Sequence, residues 1–370
     1  MTCYEPIQAY LPIEGDFEGK RHLIFSPRQI YEFKRSTVQK LQHAGIFPMW
    51  KKDESFNDLF REERKFPLMY IDKKLADDYP DGLLIDVPCG KCEGCSLDYS
   101  KRWATRATNE AYLHDHYNNC SFVTLTFNEH TLNNSTFGRS LSKAFFRSWL
   151  KRLRFYVKKE YGVEFRHFSC GEYGDKKQRP HYHMIIFGFN FPDRYVFQTN
   201  QLKKTSYLTY RSPFLEKLWH LPGSSESAGY SSISDVNYRT CAYVARYVTK
   251  KNHISTYTDK EQEFLAVSRM PGLGYGYCKQ FLNDIFSHGY VMLPDGIKAP
   301  IPRYYESICE KLNPELYYNY KYEKFQRLYK QMLQKFYDAS NPSKLRLSQL
   351  RELQKIRSGM LIRSYENTTS

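Results

Sequence analysis

The stretch Pro180–Gly188 reads PHYHMIIFG, and its reading decides the fold. Met184–Phe187 is an apolar, partly β-branched run, and proline and glycine bound the stretch, so it is expected to be a strand. Residues two apart on a strand project to one face, so His181 and His183 share a face and Tyr182 points to the other. Upstream, Val163–Tyr173 reads as a second strand, joined to the first by a charged turn, Gly174–Pro180. Such a hairpin carries Glu172, in Gly171-Glu-Tyr-Gly174, to the neighbourhood of the two imidazoles. A third strand is expected at Ser121–Phe127 (SFVTLTF), where β-branched and aromatic residues alternate.

Between these strands lies the strongest helical pattern in the chain, residues 141–160. Phe145, Phe146, Trp149, Leu150, Leu153 and Val157 form its apolar stripe, and Lys143, Arg147, Lys151, Arg154 and Lys158 occupy the remainder. Gly162 is placed to stop it. Residues 98–117 and 239–251 also read as helices. The segment 194–238 reads as mainly loop, with a short amphipathic stretch near Phe214–Trp219. Tyr304–Leu312, Leu316–Tyr337 and Lys344–Ile362 read as a basic helical tail. Residues 1–88 show no decisive pattern. The order predicts an α+β fold: a central antiparallel sheet flanked by helices, with an N-terminal cysteine-rich element and a helical C-terminal tail. The expected divisions are an N-terminal region 1–118, a core 119–280 and a C-terminal region 281–370.

Composition narrows the function. The 370 residues carry 55 Lys and Arg against 40 Asp and Glu, a formal charge of +15, which is the electrostatic footprint of a protein that meets a polyanion. An apolar fraction of 41% is enough for a core and excludes a wholly disordered chain. No apolar run approaches the ~18 residues of a spanning helix, and Met1–Tyr10 lacks a basic segment followed by an apolar one, so neither membrane insertion nor secretion is expected. No G-x-x-x-x-G-K-[ST] motif occurs, so no nucleotide cofactor or ATP-driven motor is expected. Gly272-Leu-Gly-Tyr-Gly276 is glycine-rich but does not follow a dinucleotide fingerprint, and reads as a turn.

Three groups of residues are candidates for chemistry. His181 and His183, with Glu172 as third ligand, suit Mg²⁺ or Mn²⁺ acting as a Lewis acid on a phosphodiester. The bland alternatives are one packed and one exposed imidazole, and a Glu172 that merely pairs with Arg179. His114-Asp-His116 has the same spacing at a helix end, where residues two apart diverge, and reads as solvated surface. Second, Tyr243, Tyr247 and Lys250 share one face of a helix. With 32 tyrosines in the chain this spacing is expected by chance, and Tyr318 and Tyr322 repeat it. A phenol with a pKa near 10 becomes a usable nucleophile when a metal polarises the phosphate and a cation favours phenolate. Third, Cys89, Cys92 and Cys95 form two overlapping C-x₂-C steps, a knuckle suited to tetrahedral Zn²⁺. Cys3 is the first choice of fourth ligand, with His22 and Cys120 behind it. Free thiols are the alternative.

These pieces, taken in order, resemble a known family: the replication initiator proteins of small single-stranded DNA bacteriophages, the microviruses, of the gokushovirus type, within the HUH endonuclease superfamily. The resemblance rests on Val87-Pro-Cys-Gly-Lys-Cys92 with Cys95, Trp103 and Arg106. It continues through Phe122–Phe127, Gly171–Gly174, Arg179–His183, Tyr243–Lys250 and Ser268-Arg-Met-Pro-Gly272, covering roughly residues 85–275. Tyr182 departs from the family's apolar residue between the two histidines.

The resemblance implies an HUH/RRM-like nicking core and a rolling-circle mechanism. A divalent metal on His181, His183 and Glu172 would hold the scissile phosphate of origin single-stranded DNA. One tyrosine would attack it to leave a 5′-phosphotyrosyl enzyme and a 3′-OH. The second would cleave the regenerated origin so that the genome can be ligated into a circle, with Lys250 steadying charge. Host helicase and DNA polymerase would be partners, in the cytoplasm of the bacterial host cell. Lys143, Arg147, Lys151, Arg154 and Lys251 are the candidate DNA-binding cations. The rivals are a non-catalytic zinc-containing nucleic-acid-binding protein and a single-strand transposase or relaxase of the same fold.

Overall fold

The computed structural model describes residues 7–12, 82–90, 92–174, 178–202, 205–250, 260–324 and 327. The chain divides after Cys95 into two compact units. The first contains an antiparallel pair, β1 (Ile7–Pro12) and β2 (Gly82–Val87), in register from Ile7 opposite Val87 to Pro12 opposite Gly82. The cysteine run follows it. Helix α1 spans Glu93–Tyr112.

The second unit is built on seven strands: β3 (Cys120–Phe127), β4 (Arg166–Tyr173), β5 (Pro180–Phe187), β6 (Tyr195–Leu202), β7 (Thr205–Arg211), β8 (Gly229–Ser234) and β9 (Phe264–Val267). Their order is β6-β7-β8-β3-β5-β4-β9 and every neighbouring pair is antiparallel. This is the antiparallel α+β architecture expected from the sequence. The helices after α1 are α2 (Glu129–Asn134), α3 (Lys143–Tyr161), α4 (Pro213–Leu218), α5 (Tyr238–Lys250), α6 (Tyr275–Gln280), α7 (Leu282–His288) and α8 (Arg303–Leu312). Among the described residues, no helix is long and apolar enough to cross a membrane.

Strand alternation sorts the core into two faces. Val123, Leu125, Phe127, Tyr182, Met184 and Ile186 point to one of them, where α3 lays down Phe146, Trp149, Leu153 and Val157. Both ends of α3 are specified by sequence. Ser142 accepts a hydrogen bond from the Phe145 amide, and Gly162 takes the left-handed conformation, φ 69°, that ends the helix. On the other face lie Phe168, Cys170, Ile185 and Phe187. They pack against Ala104, Ala107 and Ala111 of α1 and against Cys241, Val244, Ala245 and Tyr247 of α5. Small residues at those α1 positions let its backbone approach the sheet closely. An expected boundary near residue 118 therefore does not part α1 from the sheet. A third cluster, around Phe286, Val291 and Tyr305, joins α6, α7 and α8.

The structure departs from the expected elements in three places. The first helix ends at Tyr112 rather than near 117, because Asp115, His116 and Tyr117 adopt φ of 51°, 45° and 79°, which no right-handed helix accommodates. The pair His114 and His116 lies in that turn. Second, 194–238 is not mainly loop. It holds β6, β7, β8 and α4. Strands at a sheet margin lack one continuously buried face, so YVFQTNQL and TSYLTYR carry no clean alternation to read. Third, the strand expected from Val163 begins at Arg166. In the tail, residues 314–324 are helical, and Lys344–Ile362 lies outside the described residues.

Candidate active site

Strand register assembles the site. Glu172 on β4 stands opposite His181 on β5, which stands opposite Thr126 on β3; one pleat further, Cys170, His183 and Thr124 form the parallel row. The threonines are not incidental. Thr124 Oγ1 meets His183 Nδ1 at 3.0 Å, and Thr126 Oγ1 meets His181 Nδ1 at 2.8 Å. Engaging Nδ1 fixes each ring and leaves Nε2 as the coordinating end. Phe122, the next residue along the same face of β3, stacks on the His183 ring at 5.8 Å and 4°.

Glu172 and His183 are both buried and are joined directly, Glu172 Oε1 to His183 Nε2 at 2.7 Å. Arg179 is occupied elsewhere: its guanidinium pairs with Glu129 and donates to the Phe127 carbonyl at 3.2 Å.

Helix α5 brings the tyrosines over this pair. The Tyr243 hydroxyl donates to Glu172 Oε1 at 2.9 Å and stands 3.3 Å from His183 Nε2. One turn on, the Tyr247 hydroxyl donates to the Tyr243 hydroxyl at 3.2 Å. The two phenols, the carboxylate and one imidazole thus form a continuous chain. Tyr318 and Tyr322, with the same spacing, are exposed on the helical tail.

The sequence reading passed over Arg246. Its guanidinium carbon lies 5.0 Å from the Tyr243 ring centre and 5.6 Å from that of Tyr247. The signal was present, since Arg246 is three residues after Tyr243 and beside Tyr247, but the lysine one turn beyond drew the assignment. Lys250 belongs to α5. Lys251 and Cys3 lie outside the described residues, as does His22.

Burial, and then the charge of Glu172, hold the Tyr243 phenol well above its ordinary range, with Arg246 opposing. Burial and then the neighbouring His183 push His181 down to about 4, so its ring is neutral at neutral pH, the form that binds a metal. The His181 Nε2 end is tucked against Gly174, where an added Cβ would lie 2.8 Å from it. Among the described residues, the set of three His, Cys, Asp or Glu donors that all lie within 4.8 Å of one another is Cys89, Cys92 and Cys95. Glu172, His181 and His183 do not form such a set: two of the three donors meet, and His181 stands further along the row. Two neutral imidazoles and a carboxylate on one sheet face still fit a divalent cation in the chemistry of their donors.

In the first unit, Cys89 Sγ and Cys95 Sγ are 3.9 Å apart, and the Cys92 amide donates to Cys89 Sγ at 3.3 Å. Two thiolates on one tetrahedral zinc stand about 3.8 Å apart, given Zn–S bonds of ~2.3 Å, so the knuckle has the right dimension. Cys120 is buried in β3, its thiol held by the Ala111 carbonyl at 3.8 Å.

The structure does not bring the cations of α3 to the tyrosines. The helix covers the opposite sheet face; Arg147, Lys151 and Arg154 are exposed there, and Lys143 pairs with Glu261 at 3.4 Å.

Comparison with known proteins gives a consistent result. Residues 120–252, from the first residue of β3 to just past α5, match the family of the replication-associated protein ORF2. The replication-associated protein VP4 of Bdellovibrio phage phiMH2K is 28% identical over 256 residues, 68% of this chain and 76% of that protein. The replication-associated protein ORF2 of Spiroplasma virus 4 is 30% identical over 254 residues, 67% of this chain and 75% of that protein. The replication-associated protein ORF4 of Chlamydia phage 1 is 32% identical over 239 residues, 62% of this chain and 55% of that protein. No solved structure matches. Since the matched region holds the histidine strand and the tyrosine helix, and three phage proteins align across most of the same chain, this chain belongs to the microvirus-type replication initiators.

Proposed function

We propose that this initiator is a metal-dependent, sequence-specific nicking endonuclease and strand transferase that acts on single-stranded DNA at the phage origin through a 5′-phosphotyrosyl intermediate. The observation that carries the reading is the hydrogen-bonded chain Tyr247–Tyr243–Glu172–His183. It supplies a nucleophile, a proton acceptor and a second nucleophile within reach of one phosphate.

Tyr243 is the residue in contact with the carboxylate and is the first nucleophile in this reading. Its oxygen forms a bond to phosphorus as the bond from phosphorus to the 3′ oxygen breaks. The phenol proton passes towards Glu172, and the departing 3′ oxygen takes up a proton to become a free 3′-OH. A divalent cation, Mg²⁺ or Mn²⁺, held by His181, His183 and Glu172 would polarise the phosphate and offset the carboxylate charge that keeps the phenol protonated. Arg246, beside both rings, favours phenolate, with Lys250 at the end of the helix. One phosphodiester is exchanged for another, so the step needs no nucleotide. Tyr247 attacks the regenerated origin, and the freed 3′-OH returns to the first phosphotyrosine to close the circle. The 3′-OH left by the first cut would prime a host polymerase behind a host helicase, in the host cytoplasm. Zn²⁺ on Cys89, Cys92 and Cys95, with Cys3 as fourth ligand, would be structural.

The reading predicts that Tyr243→Phe lowers single-turnover adduct formation on origin DNA with Mn²⁺ by about 10³-fold or more. Tyr247→Phe should form the first adduct at close to the normal rate and fail to release circular product. His181→Ala/His183→Ala should abolish cleavage. A covalent adduct from Tyr243→Phe/Tyr247→Phe would end the tyrosine assignment. For the knuckle, protein purified under reducing conditions should contain one zinc per chain, lost in Cys92→Ser; metal-free wild-type protein of normal stability would end that proposal.

A further inference from the structure

We infer that the wing of the sheet formed by β6, β7 and β8 is a stacking platform for the single strand that runs up to the scissile phosphate; this rests on the nicking reading above. The register carries the argument. The row Glu172, His181, Thr126 continues one strand further to Tyr230 on β8. Tyr230 therefore shares the face of the histidines, two strand spacings or about 10 Å from His181, and its side chain is 58% exposed.

The same face extends outward. Tyr210 on β7 pairs with Ile233, whose side chain lies on the opposite face, so Arg211 and Thr209 return to the histidine face. Tyr195 stands opposite Arg211, and Asn200 opposite Tyr207. Phe197 sits at the β6 irregularity, and the Arg211 guanidinium lies 4.2 Å over its ring while also reaching Glu216 at 3.4 Å. Tyr195, Phe197 and Tyr207 are each about half exposed.

Four large aromatics open to solvent on one wing, beginning in the row of the histidines, are not explained by the core. Helices α1 and α5 cover Phe168, Cys170 and Ile185 on the central strands, and these four aromatics belong to none of the three core clusters. Exposed apolar patches of this kind mark binding surfaces. The chemistry favours a nucleic-acid strand over a protein partner. The rings are spaced by Ser232, Thr209, Gln198 and Asn200 rather than by aliphatic residues, one ring already carries a guanidinium, and the surface runs into the phosphate-handling row. Aromatic rings interleaved with polar and cationic groups accept bases of any sequence by stacking. From His181 to Tyr195 is about four strand spacings, or ~19 Å, enough for several nucleotides.

The test is fluorescence anisotropy of full-length protein with a labelled dT₂₀ strand and with a duplex of equal length, alongside adduct formation on origin DNA. Tyr230→Ala should weaken dT₂₀ binding by about tenfold, and Phe197→Ala/Tyr195→Ala by at least as much. Tyr230→Phe should restore it, because stacking needs the ring and not the hydroxyl. Duplex affinity should be unchanged, and adduct yield at saturating strand should approach that of the parent. Single-strand affinity within twofold of the parent for Tyr230→Ala and for Phe197→Ala/Tyr195→Ala, with normal adduct formation, would overturn the platform and leave the nicking reading standing; such a result would point to a protein ligand for the wing. Failure of the unaltered protein to form any adduct or bind the strand would overturn both.

Discussion

Gly174 is a small residue on which the site geometry depends. It follows β4 directly, and a Cβ there would stand 2.8 Å from His181 Nε2. The imidazole cannot swing aside cheaply, because Thr126 holds its other nitrogen at 2.8 Å. Gly174→Ala should therefore displace His181 while leaving the core alone. We expect cleavage to fall by tenfold or more and the Mn²⁺ concentration for half-maximal rate to rise, with unfolding free energy changed by less than about 1 kcal/mol. An unaltered metal dependence would show that His181 takes no part in holding the cation. Gly171, in the same motif, is excluded from bearing a side chain by Phe264, 2.6 Å from its notional Cβ. Both glycines of Gly171-Glu-Tyr-Gly174 thus have a steric reason, one towards the site and one towards β9. The ligand residues were legible in sequence because strand alternation puts His181 and His183 together whatever the rest of the fold does. Thr124, Thr126 and Arg246 were not. Their roles come from a cross-strand register and a helix rotation that only tertiary packing sets.

Helix α3 separates two ways of meeting DNA. Its apolar stripe was readable to the residue, and Ser142 and Gly162 mark its ends. What the pattern could not say was which sheet face it would cover, since an amphipathic helix fits either. It covers the face away from the tyrosines, so Arg147 and Lys151 project from the far side of the sheet. Their contribution to binding is then long-range attraction and not strand positioning. Arg147→Glu/Lys151→Glu should weaken single-strand binding several-fold at low ionic strength. The difference should shrink towards unity as salt rises past physiological levels, where the screening length falls below ~8 Å. Adduct yield at saturating DNA should not change. Loss of adduct at saturation would mean that the strand wraps the sheet edge and reaches α3 directly. The margin strands β6 and β7 were the opposite case. They were invisible in sequence because an edge hairpin exposed on both faces has no burial pattern, and their exposed aromatics read as loop composition.

The molecule as a whole carries a buried titration that limits its acid stability. His167, on β4 facing α3, is buried, and its Nδ1 meets Ser169 Oγ at 3.0 Å. Burial, with the Arg154 charge adding, lowers its pKa from 6.5 to about 3. The unfolded chain therefore binds a proton at this position well before the folded chain does. The stabilisation from keeping His167 neutral is fully present above pH 6.5 and is lost progressively as pH falls towards 3, at up to about 1.4 kcal/mol per pH unit. Below the folded value both states are protonated and the loss is complete. His167→Asn removes the titration while keeping a group that can bond to Ser169. Urea unfolding at pH 7, 5.5 and 4.5 should show the parent losing stability steeply over this range and the variant losing distinctly less, even if the variant starts lower at pH 7. Parallel pH dependence in the two proteins would show that His167 is not the group that limits acid stability.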